Sequence, residues 1–317
     1  MSISVIIPLY NKETSIGDTL TSVLGQTYGD FEVIVIDDGS TDQSVTVVQR
    51  FSDPRIRLFS YPNGGVSLAR NRGVSHATYP LVAFLDGDDA WLPNHLKEIH
   101  TLSVTFPQAL VYATNYIIVD SNHTKHAPVN TEIVLSQGSE GIINNYFDTA
   151  TRTAPPVWTS ATAVRVQGLE KIGGFPVGIT LGEDLLTWAR LACQGAIAYS
   201  TAITAEYHFQ SFEELTTPGK KPDAVDYVGE ALAKLIPLYP QDTHAITRYV
   251  GLWHRMRLNE YMKRGESWCA LHEMRKILHY TPKDYKSYVL LALALLPSFI
   301  RSFILTTRAR IQAKRIA

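Results

Sequence analysis

Short apolar runs alternate with amphipathic stretches through the first part of the chain. "ISVIIPL" (3–9), "FEVIVID" (31–37) and "LVAFL" (81–85) are nearly continuous apolar runs of strand length, and "RIRLFSY" (55–61) reads as a further strand. Between them, Ile16, Leu20, Val23 and Leu24 recur at helical spacing. Val45, Val47 and Val48 form a weaker helical stretch, and "SLARNRGVSHA" (67–77) reads as a helix. Strands that are apolar throughout need cover on both faces, so the alternation predicts an α/β fold with a mostly parallel, Rossmann-like sheet flanked by helices. Such sheets bind ligands at the carboxyl ends of their strands. The polar clusters fall there: "PLYN" (8–11), "DDGSTD" (37–42) and "DGDDAW" (86–91).

Residues 110–160 are less regular and are expected to hold a polar loop with a short hairpin. "SATAVRVQGLEKIGGF" (160–175) predicts a strand, a helix and a Gly-Gly turn, and "GEDLLTWARLACQG" (182–195) an amphipathic helix stopped by Gly195. "TPGKKPD" (217–223) marks a boundary, beyond which the pattern is helical. The expected division is a domain of residues 1–216 and a helical C-terminal region of residues 217–317.

Charge sharpens that division. Residues 1–219 carry 12 Lys+Arg and 22 Asp+Glu, whereas residues 220–317 carry 17 and 8. An acidic front and a basic tail suggest two functional parts. Two cysteines, Cys193 and Cys269, exclude a disulfide framework and a four-cysteine zinc site, and both are expected to be buried apolar residues. The opening "MSISVIIPLYNKE" has no basic n-region and too short an apolar run for a signal peptide, so it reads as the first strand.

The acidic clusters invite two readings each. "DDGSTD" is a turn by composition, with Ser40 or Thr41 as a cap for the next helix; an acid at a strand end can equally accept hydrogen bonds from a ligand. "DGDD" alone is a solvated loop tip. With a hard divalent cation, though, carboxylates that repel one another become favourable neighbours, and Mg²⁺ or Mn²⁺ completes such a shell with phosphate oxygens and water.

Taken together with "SVIIPLYN" (4–11), "VIDDGSTD" (35–42), "SLARNRG" (67–73), "FLDGDDAW" (84–91), "GGF" (173–175) and "GEDLLTWARL" (182–191), this pattern resembles the family 2 glycosyltransferases over roughly residues 1–215. The resemblance implies a GT-A fold and a nucleoside diphosphate sugar donor, a UDP-sugar foremost. It implies that Tyr10 packs beside the base, with the backbone around Pro8 and Leu9 lining the pocket. One of Asp37 and Asp38 would hydrogen-bond the base, and Arg70 would lie near the donor. Asp86 and Asp88 carry over as the DxD motif, Asp86 toward the ribose and Asp88 as ligand of Mn²⁺ or Mg²⁺, with Asp89 behind them. Asp184 matches the catalytic base of an inverting transfer, and Glu183 would hold the acceptor. A helix start there would keep both acids ionised. Trp158 and Ser160 are expected on the acceptor side. His208 falls where relatives carry a histidine or polar residue near the diphosphate, so metal or phosphate contact and a purely structural role both stand open.

The resemblance also implies a saccharide or lipid-linked acceptor and a role in surface polysaccharide or glycan assembly. From Tyr285 onward there are six Lys+Arg and no acid, and "YVLLALALLPSFIRSFIL" (288–305) is interrupted by Pro297 and Arg301. That pattern suits a helix lying in an anionic membrane interface better than a spanning one, with packing on the domain or self-association as alternatives. Expected partners are therefore a donor, an acceptor and a membrane surface rather than nucleic acid, and the expected place is the cytoplasm, peripheral on the inner face. A nucleotide-sugar binding module without turnover is the alternative from another class. A nucleotidyltransferase is disfavoured because "IPLYNKETS" has no glycine, and a dinucleotide oxidoreductase because no G-x-G-x-x-G follows a strand.

Overall fold

The computed structural model of the chain describes residues 1–120, 124, 133, 135, 138–153, 155–208, 218–282 and 288–289. Among the described residues nine strands form one sheet: β1 (Ile3–Leu9), β2 (Phe31–Asp37), β3 (Ile56–Ser60), β4 (Leu81–Phe84), β5 (Ala90–Trp91), β6 (Val111–Val119), β7 (Glu140–Ile142), β8 (Thr162–Arg165) and β9 (Ile197–His208), in the order β3-β2-β1-β4-β8-β6-β9-β5 with β7 against β9. The run β3-β2-β1-β4 is parallel. Beyond β4 the directions mix: β8 is antiparallel to β4 and β6, and β9 is parallel to β6. The parallel half brings the ends of β1 and β2 level, with Leu9 opposite Asp37, and sets Phe84 opposite Ile6.

Helices α1 (Ile16–Leu24), α2 (Ser44–Gln49), α3 (Val66–His76), α4 (His95–Thr105), α5 (Tyr146–Arg152), α6 (Val166–Ile172) and α7 (Glu183–Gln194) cover the sheet. Side chains alternate across it as the strand period requires. Val5, Ile7 and Leu9 join one core with Leu20 and Ile99, whereas Ile6, Val82 and Phe84 join the other with Leu169 and Trp188. On α3, Gly73 lets the helix approach β1 closely: a Cβ there would lie 2.3 Å from Ile6 Cγ2. The segment 110–120, expected to be irregular, is mostly the long strand β6.

C-terminal to the boundary lie α8 (Tyr227–Ala233), α9 (Leu235–Leu238), α10 (Thr243–Lys263) and α11 (Ser267–Tyr280). They do not stand apart. Val228, Leu232, Ile246, Tyr249, Val250 and Trp253 belong to the same core as Phe84, Phe175 and Trp188. Among the described residues no helix is long and apolar enough to cross a membrane. The basic tail, residues 285–317, lies outside the described residues apart from 288–289. The cysteines divide: Cys193 is half-buried, its thiol pushed up to about 12 by burial, but Cys269 is exposed, against expectation. Cys269 falls among exposed positions of α11 with Trp268 and His272, while Ala270, Met274 and Ile277 take the buried face.

Candidate active site

The motif loops interlock at the carboxyl end of the parallel strands. Asn11 stands at φ +50°, a left-handed conformation tolerated by asparagine. It uses that turn to reach the neighbouring loop: its N–H donates to Ser40 Oγ (3.1 Å), and its Oδ1 accepts the Thr41 N–H (2.8 Å). Ser40 and Thr41 are thus engaged with the first loop and do not cap α2. The Ser44 N–H there donates instead to Asp42 Oδ1 (2.9 Å). Tyr10 is 48% exposed beside these loops, while Pro8 and Leu9 are buried.

The two acids after β2 differ in surroundings. Asp38 accepts N–H bonds from Gly64 and Gly65 and one from Arg72 Nη1 (3.1 Å), so its carboxylate holds the entry to α3. Asp37 Oδ1 takes a single bond, from the Ser40 N–H at 2.9 Å.

Arg70, on α3 and 4% exposed at its side chain, is the centre of the site. Its Nη2 donates to both oxygens of Asp86 (2.8 and 3.1 Å), its Nη1 lies 3.6 Å from Glu183 Oε1, and its guanidinium lies over the Phe175 ring at 5.3 Å. Burial alone lowers a guanidinium's pKa, but the charges of Asp86, Glu183 and Asp184 outweigh it and hold Arg70 above its ordinary value. The next residue fixes the "GGF" turn. Asn71 Nδ2 donates to the Phe175 carbonyl and Asn71 Oδ1 accepts the Phe175 N–H, both at 2.8 Å. Gly174 at φ +75° permits this, since a Cβ there would sit 2.6 Å from Asn71 Oδ1.

"DGDD" places three acids in three environments. Asp86 is held by Arg70, and Asp88 is ion-paired with Lys12 Nζ. Asp89 is buried: its Oδ2 accepts the Ser160 hydroxyl (2.6 Å) and its Oδ1 the His208 N–H (3.2 Å). Burial first, then the charges of Asp86 and Asp88, push the Asp89 carboxyl well above the usual range. Ser160 is fully buried, and its Oγ also accepts the Asp86 N–H (3.1 Å). Ser160, expected on the acceptor side, has its hydroxyl engaged by the acidic loop. Trp158 packs on Tyr116 and Tyr207. His208 reaches the cluster through its backbone, while its Nε2 lies 3.2 Å from Glu206 Oε2.

At the start of α7, Glu183 and Asp184 face the same guanidinium. Burial, the largest influence, raises both carboxyls, and Arg70 opposes the rise without cancelling it; Asp184 adds to the rise at Glu183. The direction is therefore opposite to the lowering expected from the helix start. Asp184 Oδ1 takes the Leu185 N–H at 2.6 Å. Sequence reasoning missed Lys12, Asn71 and Arg72. The signal for the last two was present in "SLARNRG", where two polar side chains follow Arg70 directly.

The model of the family described as glycosyl transferase family 2 matches residues 4–173. An uncharacterized glycosyltransferase of Nostoc sp. is 34% identical over 209 residues, 64% of this chain and 60% of the relative. The Escherichia coli enzyme named UDP-Glc:alpha-D-GlcNAc-diphosphoundecaprenol beta-1,3-glucosyltransferase WfgD is 38% identical over 122 residues, 38% of this chain and 47% of the relative. The chain thus spans less than two thirds of these relatives' length. Staphylococcus aureus TarS 1-349, solved in complex with UDP-GlcNAc, aligns with a TM-score of 0.70 at 17% identity, covering 99% of this chain and 92% of that one. The mannosyltransferase PcManGT from Pyrobaculum calidifontis, solved with GDP-Man and Mn²⁺, aligns at 0.54 and 19% identity over 98% of this chain and 86% of that one. These structural likenesses establish the GT-A fold. With the matched segment, over half of the chain's length, running through "SVIIPLYN", "DDGSTD" and "DGDD", the chain belongs to glycosyl transferase family 2.

Proposed function

We propose that the chain is an inverting, metal-assisted transferase that moves a sugar from a nucleoside diphosphate donor, a UDP-sugar foremost, to a hydroxyl of a saccharide or lipid-linked acceptor in surface polysaccharide or glycan assembly. The observation that carries this reading is the buried Arg70 held between Asp86 and the Glu183–Asp184 pair, because it sets a donor-side acid beside a base-side pair. Residues 1–216 form the catalytic part in this reading and residues 217–317 its helical extension. UDP-GlcNAc in the TarS complex and UDP-Glc in the name of WfgD support a UDP-sugar, and the lipid diphosphate in that name supports a lipid-linked acceptor.

Tyr10 offers an exposed ring for the base beside Pro8 and Leu9, and Asp37, the less engaged acid, accepts its N–H. Asp86 faces the ribose. Asp88 would hold Mn²⁺ or Mg²⁺, which would supply neutralisation of the charge growing on the leaving diphosphate. The donor fits: a part-exposed carboxylate suits a hard cation, and Asp88 already attracts the Lys12 ammonium. The Mn²⁺ in the PcManGT complex supports the same choice. His208, its ring half-exposed beside Glu206, is kept as a further contact for the metal or diphosphate. Asp184 takes the proton of the acceptor hydroxyl as that oxygen bonds to the anomeric carbon and the carbon–oxygen bond to the diphosphate breaks. Attack from the face opposite the diphosphate inverts that carbon. Glu183 and Trp158 line the acceptor side.

A thermal-shift screen of UDP- and GDP-sugars with and without Mn²⁺ tests the reading. A Mn²⁺-dependent shift is expected with at least one UDP-sugar, and Asp88→Ala should lose the metal-dependent part. A panel without any shift, or a shift untouched by Asp88→Ala, counts against it. We further place residues 285–317 on an anionic membrane face. The full chain should pellet with phosphatidylglycerol vesicles and a chain ending at 284 should not; equal pelleting refutes that placement.

A further inference from the structure

We infer that the C-terminal helix α10 positions the catalytic loop, with the indole of Trp253, held by Asp226, setting the direction in which Glu183 and Asp184 leave the start of α7. The inference rests on the reading of Asp184 as the base. Gly182 precedes those acids at φ +85°, and a Cβ there would lie 2.4 Å from Trp253 Cζ3 and 2.6 Å from Cη2. The backbone that launches α7 therefore lies directly on the indole edge. At its other end the ring is clamped, since Trp253 Nε1 donates to Asp226 Oδ1 at 2.8 Å. One helical turn earlier on the same face of α10, the Tyr249 hydroxyl reaches the Leu185 carbonyl (3.3 Å) and pairs with the Tyr146 hydroxyl (2.9 Å). Trp253 and Tyr249 thus hold the chain on either side of Glu183 and Asp184, at Gly182 and Leu185.

Asp226 is itself immobilised. It accepts the Gly229 N–H (3.0 Å) at the start of α8 and Lys276 Nζ (3.2 Å) from α11, and Arg257 Nη1 lies 3.8 Å away. Glu273 of α11 is bonded to His254 (2.7 Å) and Arg257 Nε (2.9 Å) on α10. Asp226, His254 and Glu273 bring three ligand atoms within 4.8 Å of one another, a spacing a metal could use. Arg257 and Lys276 already neutralise the two carboxylates, however, so a divalent ion would leave an uncompensated buried charge. The cluster is a lock between α10 and α11, and the locked element is what Gly182 rests on.

The test is Trp253→Leu in the full chain, with Trp253→Phe as the conservative partner. Turnover is read as nucleotide release from the donor with the largest thermal shift, water serving as acceptor. The leucine variant should keep donor affinity while kcat falls about 10- to 100-fold, as expected for a catalytic group displaced by about 1 Å. Amide exchange in the peptide spanning 181–188 should quicken selectively. The phenylalanine variant keeps a ring against Gly182 and should recover most of kcat. Unchanged kcat and unchanged exchange in a folded leucine variant overturn the inference, as does a loss of donor affinity in step with kcat. If the leucine variant does not fold, Tyr249→Phe keeps the ring and removes the hydroxyl that meets the Leu185 carbonyl and the Tyr146 hydroxyl, and a lowered kcat at constant donor affinity is expected; unchanged kcat refutes. Asp184→Asn run alongside separates the two claims. If it leaves turnover intact, the base assignment is wrong, and the exchange readout still decides whether α10 positions the loop.

Discussion

Asp184→Asn is expected to lower transfer by about 10²–10⁴-fold, the range a general base contributes, with donor affinity close to that of the unaltered chain. The amide keeps the size of the carboxylate and can still accept the Leu185 N–H, so the first turn of α7 loses no packing. What it loses is the capacity to take a proton. The pH profile provides an independent check. Burial raises the Asp184 carboxyl above its ordinary value. The base works only when ionised, so kcat/KM should fall as pH drops through that raised value. The acid limb therefore belongs at higher pH than an exposed aspartate would give. An acid limb in the ordinary carboxylate range, or an asparagine variant of near-normal turnover, would remove Asp184 from the role.

Arg70→Met should be the most destabilising single change at the site. It leaves Asp86 without its paired N–H donors and removes the cation that opposes the rise at Glu183 and Asp184. Deleting one partner of a buried ion pair costs about 3–5 kcal/mol, and the lower end applies here because Asp86, 31% exposed at its side chain, regains water. At roughly 2–4 °C per kcal/mol for a chain of this size, Tm should fall by about 10 °C. Arg70→Lys should rescue only part of it, because a point charge cannot span Asp86 and Glu183 as a fork does. Scanning calorimetry decides: a Tm within about 2 °C of the unaltered chain would mean that these acids are held by something else. Any residual activity of the methionine variant should show its acid limb moved further up, since the opposing cation is gone.

The parallel half of the sheet was legible because its strands announce themselves locally. β1, β2 and β4 are buried on both faces, and burial on both faces requires continuous apolar residues. The strands β6 and β9 were not legible. Their sequences, "VYATNYIIV" and "IAYSTAITAEYH", carry Thr114, Asn115, Ser200 and Thr204, which read as loop in a short window. All four are buried, and three are satisfied from distant elements: Thr114 bonds Thr204 across strands at 2.7 Å, His95 of α4 bonds the same Thr204 at 2.7 Å, and Glu98 accepts Ser200. A buried polar residue is affordable only when its partner arrives, and that partner lies about 90 to 109 residues away.

The site divides along the same line. Sequence by itself singled out the candidate residues, because motif residues such as Asp86, Asp88 and Asp184 stand at strand ends and a helix start that local patterning marks. The tertiary structure alone decided what each acid experiences. Arg70 joins Asp86 to Glu183 across nearly a hundred residues of chain, Ser160 holds Asp89, and α10 comes back from beyond the boundary to lie against Gly182. The physical reason is that charge state and orientation depend on burial and on neighbours in space, and neither is a property of a short stretch of chain.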